Sequence, residues 1–384
     1  MSAQKRYDVA VIGAGVFGAW TAWHMARRGR RVLLVDAYGP AHSRASSGGE
    51  SRIIRMGYGA DELYTRWSQR SLVQWKEFFA AVKQPLFHET GVLWLAGEED
   101  SRLRQTAATL ERCGIAFERM DRAALEKHYP QIGFEGVSAG LLEAQSGVLM
   151  ARRAVVAVVE DAVRLGIEYR QVQSTTPRGS GRLEAIATRT GERILADHFV
   201  FACGAWLGKL FPEILGSRIF PSRQEVFFFG VPAGDPRFAP PALPTWLFQA
   251  DEMYGMPDIE NRGLKIAIDR HGAVVDPDTQ SRMVSAESDE EVRKYVARRF
   301  PALRDAPIVE TRVCQYENTS SGDFLIDRHP EFANVWLAGG GSGHGFKHGP
   351  ALGEYVTGQL LDGDPTESRF SFASKRTVQH RAIY

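Results

Sequence analysis

Three glycines and one acid carry the first chemistry that can be read from this chain. Residues 8–36 run DVAVIGAGVFGAWTAWHMARRGRRVLLVD, with Gly13, Gly15 and Gly18 in GxGxxG spacing and Asp36 closing the next apolar run. The run from Asp8 to Ile12 is short and apolar, which suits a buried parallel strand. Gly13 allows a tight turn, Gly15 lets the backbone approach a pyrophosphate, and Gly18 lets helix and strand pack closely. The helix expected over 16–28 aims its N-terminus at the phosphate charge, and Gly29 stops it. Asp36 lies where an acid accepts hydrogen bonds from the adenosine ribose, about 20 residues on. The glycine spacing alone is a weak signal; its strand–turn–helix–strand setting makes it a dinucleotide cradle. NAD and FAD share the ADP half, so both remain open at this motif.

Other residues are chemically conspicuous. The chain has three cysteines, Cys113, Cys203 and Cys314, far apart and without a CxxC pair. Neither a zinc cluster nor a disulfide framework can be built from them, and a small buried hydrophobe is the plainer reading of Cys314. Lys265 sits inside the apolar run GLKIAI, where a lysine is rare without a reason. His344 and His348 have the i, i+4 spacing of helical zinc ligands. No HExxH acid accompanies them and His344 lies in a glycine-rich loop, so no metal site is expected.

The elements that must position these residues follow from periodicity. With 44% hydrophobic and 24% charged residues, the chain reads as globular. Its net charge of +1 marks no nucleic-acid or anionic-membrane partner, and its apolar runs are too short to span a bilayer. Sparse cysteines and the absence of a set-off cleavage site favour the cytoplasm. Helices are expected over 61–83, 101–114, 150–165 and 287–300, and a strand over 87–97. Short strands dominate 220–275. The chain closes with NVWLAGGGSGHGFKHGPALGEYVTGQLL, again a strand, a glycine loop and a helix. Glycine-loop units at both ends, with β structure between, suit a discontinuous Rossmann-like FAD-binding domain (1–84, 150–216, 325–384). A mixed-sheet substrate domain (85–149, 217–324) is inserted into it, giving an α/β + β fold. A second glycine loop favours FAD over NAD.

Seven segments in this order, DVAVIGAGVFGAW, GESRIIRMGYG, TGVLWL, FACGAW, GLKI, VCQY and AGGGSGHGFK, resemble the monomeric sarcosine oxidase family of D-amino-acid-oxidase-like flavoproteins. The likeness spans essentially the whole chain. It implies oxidation of a secondary amino acid: a C–H beside nitrogen is lost to the flavin, the imine hydrolyses, and O2 becomes H2O2. It implies FAD joined by a thioether to Cys314, since a thiolate adds to the flavin methyl group when cations such as Arg52 or Arg312 stand beside it. Arg55 and Lys347 match the family's carboxylate clamp. Arg52 and Ser51 match positions beside the flavin ring, and Lys265 the lysine that activates oxygen. Tyr254 and Tyr316 match active-site tyrosines, though either could be simple core. Gly343, His344 and Gly345 match a loop expected to meet the flavin's pyrimidine edge with backbone N–H groups. The family is often monomeric.

The likeness breaks at two places. Asp269 stands where sarcosine-type enzymes have histidine, and Ala60 where they have an acid, with Asp61 next in line to substitute. An acid at 269 is similar to the fructosyl-amino-acid oxidases. A salt bridge to Arg270 or a turn cap would be its structural explanation. Fructosyl-amino-acid or opine-like oxidation, and a dehydrogenase using another acceptor, therefore stay beside N-alkyl amino acid oxidation.

Overall fold

The computed structural model describes residues 5–98 and 100–378; the ends of the outer segments, 1–4 and 379–384, lie outside it. Its strands form three sheets. The first is ordered Leu325–Arg328, Val335–Gly339, Arg193–Phe201, Arg6–Ile12, Val32–Asp36, Glu168–Gln171, with Ala185–Ala187 pairing beside Arg193–Phe201. Arg6–Ile12 runs parallel to both neighbours. Its buried VAVI run needs cover on both faces. Helices Val16–Arg27, Ala151–Arg164 and Gly349–Leu361 contribute to one core on this sheet, while Phe199, Phe201, Leu207 and Leu337 belong to another. The first and last helices touch closely: a Cβ on Gly353 would lie 2.6 Å from the Trp20 carbonyl carbon. Trp20 and Trp75 are fully buried and meet edge to face at 5.0 Å, a pairing that adds about 1 kcal/mol to area burial.

The second sheet has eight strands, ordered Ile308–Asn318, Phe220–Phe229, Leu264–Ile268, Met253–Met256, Thr245–Phe248, Val92–Ala96, Ala139–Glu143, Glu118–Asp121. All its pairs are antiparallel except Thr245–Phe248 with Val92–Ala96. Helix Ala286–Arg299 helps cover one face, where Tyr295 and Val296 pack in one core with Phe227, Phe229 and Trp246.

A third, small sheet pairs Arg52–Ile54 and Phe87–His88 with Gly147–Leu149. It corrects the expectation of one strand over 87–97. The chain breaks at Gly91 (φ +71°) and its two halves join different sheets. A strand-like run on each side of a glycine looks continuous in sequence, but the left-handed backbone at Gly91 redirects it. Among the described residues no helix is long and apolar enough to cross a membrane.

Candidate active site

The glycine cradle forms as its spacing requires. Gly13 turns at φ +106°, and a Cβ there would lie 2.4 Å from the Ala202 carbonyl oxygen. A Cβ on Gly18 would lie 1.8 Å from the Gly13 oxygen, so helix and turn touch backbone to backbone. Gly15 faces a cavity of about 460 Å3 that also borders Asp36, Ser47, Cys203, Trp206 and Glu317. The Asp36 carboxylate accepts the N–H groups of Ala14 (2.8 Å), Tyr38 (2.8 Å) and Gly39 (2.9 Å). That occupies three of its roughly four acceptor positions and leaves one toward the cavity. Glu317 is 6% exposed, and its Oε1 has no hydrogen-bond partner among the described residues. Burial pushes its pKa up to about 7, against the Gly340 and Gly341 N–H groups, which pull it down. A glycine cradle, an acid with one acceptor position left and an orphaned acceptor fit an FAD with its pyrophosphate, ribose and hydroxyl-bearing chain.

A second cavity of about 60 Å3 adjoins the first, and Arg52, Tyr316, Gly343 and Phe346 line both. Arg55, Tyr254, Asp269, His344 and Lys347 line the second alone. The structure thus gathers most of the expected residues around one junction. Gly18, Ser51, Lys265 and Cys314 line neither cavity.

Cys314 is 6% exposed on the long strand Ile308–Asn318. Its sulfur receives an Arg52 Nη2 bond at 3.4 Å. Arg52 is further held by the carbonyls of Ser46 (2.7 Å) and Ser51 (2.8 Å). The other candidate neighbour, Arg312, donates to Ser43 O at 2.9 Å and senses Cys314 electrostatically. Lys265 is 3% exposed and donates to Ser51 O (2.9 Å) and Oγ (3.2 Å). Burial and the Arg52 charge hold its pKa well below that of an ordinary lysine.

Across the second cavity, Arg55 and Lys347 are 5% and 4% exposed, which rules out surface ion pairs. The Arg55 guanidinium lies over the rings of Tyr58 (4.6 Å) and Trp94 (4.7 Å) and donates to Gly57 O. Burial and Arg55 hold the Lys347 pKa well below its usual value. Asp269 shares this cavity; burial pushes its carboxyl up to about 6 against the pull of Arg55, Arg102 and Lys347. Arg270 pairs instead with Glu291 (2.5 Å) and Glu252 (3.5 Å), so the salt-bridge explanation of Asp269 fails. Tyr254 and Tyr316 border the same space, share a hydrogen bond, and have pKa values raised by burial, that of Tyr254 to about 12.

Two expectations are corrected. Asp61 does not replace the missing acid: it precedes helix Glu62–Val82 and pairs with Arg369 at 2.5 Å. The N–H groups of His344 and Gly345 both donate to Gly341 O, at 2.9 and 2.7 Å. That pairing inside the loop uses two of the three amides assigned to the cofactor.

Two residues, Glu143 and Tyr58, went unnoticed in the sequence, and His348 was weighed there only as a zinc ligand. Glu143 is fully buried and accepts from Met56 N (2.7 Å), Gly57 N (2.9 Å), Trp94 Nε1 (2.7 Å) and Ser146 Oγ (2.7 Å). It fixes the bend that carries Arg55 and offsets the Lys347 charge. An acid inside the apolar run GLLEA is the same signal that singled out Lys265. Tyr58 bonds Lys347 and two histidines, and His348 is one of them; aromatic residues in an apolar setting look like core.

A discontinuous nucleotide sheet joined to an antiparallel sheet, with cations at the seam, defines a flavoprotein oxidoreductase. The chain matches the FAD dependent oxidoreductase family over residues 8–359 and belongs to it. It is 31% identical to the peroxisomal sarcosine oxidase of Homo sapiens, over 93% of both proteins. It is 30% identical to the monomeric sarcosine oxidase of Arthrobacter sp., over 97% of both. To the N-methyl-L-tryptophan oxidase of Salmonella arizonae it is 29% identical, over 97% of this chain and 100% of that one. Among solved structures, L-proline dehydrogenase from P. horikoshii superposes with a TM-score of 0.84 at 20% identity, covering 96% of this chain and 98% of that one. The fructosamine oxidase of Aspergillus fumigatus does so with 0.82 at 21%, covering 97% and 90%. These last two likenesses establish the fold.

Proposed function

We propose that the chain oxidises a secondary, N-alkyl amino acid to an imine, which water hydrolyses to an amino acid and an aldehyde, while O2 is reduced to H2O2. One observation carries this reading: the large cavity meets a small cationic one at Arg52, Tyr316, Gly343 and Phe346. FAD in the large cavity supplies the two-electron acceptor. Arg55 and Lys347 take the substrate carboxylate, Arg through a planar fork and Lys as a point charge. Asp269 faces the amine or its substituent. Tyr254 and Tyr316 wall the pocket and keep its polar atoms paired. Arg52 and Lys265 add fixed positive charge where electrons accumulate, and Lys265 is assigned to the oxygen step. Cys314 is assigned the flavin bond. The reading gives 1–84, 150–216 and 325–384 to FAD, 85–149 and 217–324 to the substrate, and makes the protein a cytoplasmic monomer.

Asp269 favours a second reading, in which a sugar-bearing or otherwise polar N-substituent is preferred. A peroxidase-coupled assay on the purified holoenzyme separates the two. The substrates are sarcosine, N-methyl-L-tryptophan, fructosyl-glycine and L-proline, each in air and with an artificial dye acceptor. Peroxide from an N-methyl amino acid is the expected result. Peroxide from fructosyl-glycine alone selects the second reading, and dye reduction without peroxide points to a dehydrogenase. Turnover of none of them contradicts the proposal.

A further inference from the structure

The Lys347 amine donates to Tyr58 Oη at 2.7 Å and to His344 O at 2.9 Å. An ammonium has three N–H groups. Two are used among the described residues, which leaves one for the small cavity that Lys347 lines. The direction of that third N–H therefore depends on what holds Tyr58 Oη.

Two imidazoles hold it. His348 Nε2 lies 2.8 Å from Tyr58 Oη and His344 Nδ1 lies 3.1 Å from it. The proton positions follow from what each neighbour can do. His344 Nε2 is 3.1 Å from Gly322 O, and a carbonyl only accepts, so His344 carries its proton on Nε2. Its Nδ1 is then an acceptor and takes the single Tyr58 proton. Tyr58 Oη in turn accepts from Lys347 and from His348 Nε2–H. In this arrangement His348 Nδ1 is bare, and it is indeed one of the buried atoms with no hydrogen-bond partner among the described residues. A bare acceptor is easier to leave unpaired than an N–H donor. Burial and the charges of Lys347 and Arg55 keep His348 neutral, as the assignment requires. His348 is fully buried beside Phe324 and Tyr64 (5.3 and 5.5 Å between ring centres), so its ring is held in place.

We propose that Tyr58, oriented by His344 and His348, is a positioning residue that aims the Lys347 ammonium at the substrate carboxylate. This rests on the reading of Arg55 and Lys347 as the carboxylate clamp.

The test uses propionate, a carboxylate with no amine, titrated into holoenzyme and followed by the flavin absorption spectrum. Tyr58→Phe removes one oxygen and keeps the ring. It is expected to weaken propionate about tenfold, the size of one charge-assisted hydrogen bond, and to raise KM by a similar factor while kcat falls less. Lys347→Met sets the reference. If Tyr58 acts through Lys347, the double variant binds propionate no more weakly than Lys347→Met alone. Normal propionate affinity in Tyr58→Phe, with a clear loss in Lys347→Met, overturns the proposal and leaves the clamp standing. So does an additive double variant. Normal affinity in Lys347→Met overturns the clamp itself. Should Tyr58→Phe fail to load flavin, His348→Phe and His348→Gln answer the same question. Glutamine keeps an N–H donor, so His348→Phe must be the weaker binder of the two, and equal losses count against the proposal.

Discussion

Asp269 is the residue at which this pocket departs most from the sarcosine-type pattern, and its chemistry can be tested by pH. Its pKa is raised to about 6, by burial first. The charged form is therefore complete well above pH 6 and is lost as pH falls through 6. If the carboxylate holds the amine or a polar substituent, kcat/KM falls on the acid side, by about tenfold near pH 5. Asp269→Asn should have a lower but flat profile between pH 5 and 7. An unchanged acid limb in Asp269→Asn would assign that limb to another group. Asp269 was visible in the sequence only through the resemblance, as an acid where sarcosine-type enzymes have histidine, and Lys265 was visible because charge is rare in an apolar strand. Tyr58 was not visible, and His348 was visible only as half of a rejected zinc pair. Their function lies in hydrogen bonds between residues about 290 positions apart, and spacing along one chain cannot express that.

At the scale of elements, the two glycine loops use their missing side chains for close packing, by different means. The first is a turn at which Gly13 and Gly18 permit contact between backbones. The second, 339–345, is packed against a side chain. Gly343 sits at φ +79°, and a Cβ there would lie 2.8 Å from the Tyr316 ring. Gly343→Ala thus combines left-handed backbone strain, on the order of 1 kcal/mol, with displacement of a residue that lines both cavities. The expected outcome is a lower thermal midpoint together with a loss of turnover larger than that stability change explains. A variant with wild-type kcat/KM would show that Tyr316 can move without consequence. The helices over 61–83, 101–114, 150–165 and 287–300 were legible from periodicity, whereas helix Arg122–His128 and strand Ile308–Asn318 were not. The three-stranded sheet was not, because Arg52–Ile54, Phe87–His88 and Gly147–Leu149 are two or three residues long. Too few side chains alternate there to reveal a period. That sheet nonetheless brings Arg52 and Arg55 to the junction of the cavities.

At the scale of the molecule, the strands of the two large sheets interleave along the chain yet form separate sheets, and the candidate site residues come from both and from the small third sheet. Arg52 follows the first glycine unit, Lys265 and Cys314 belong to the antiparallel sheet, and Lys347 follows the last strand of the parallel one. The central claim is that this seam holds FAD, with Cys314 at its ring. Acid precipitation of the purified protein tests it most directly. The account predicts a yellow pellet from the wild type, and from Cys314→Ser a colourless pellet with yellow supernatant. Flavin released from both proteins would remove Cys314 from the cofactor and place the chain among relatives that hold FAD without a bond. A protein purified without any flavin would contradict the assignment of the large cavity itself.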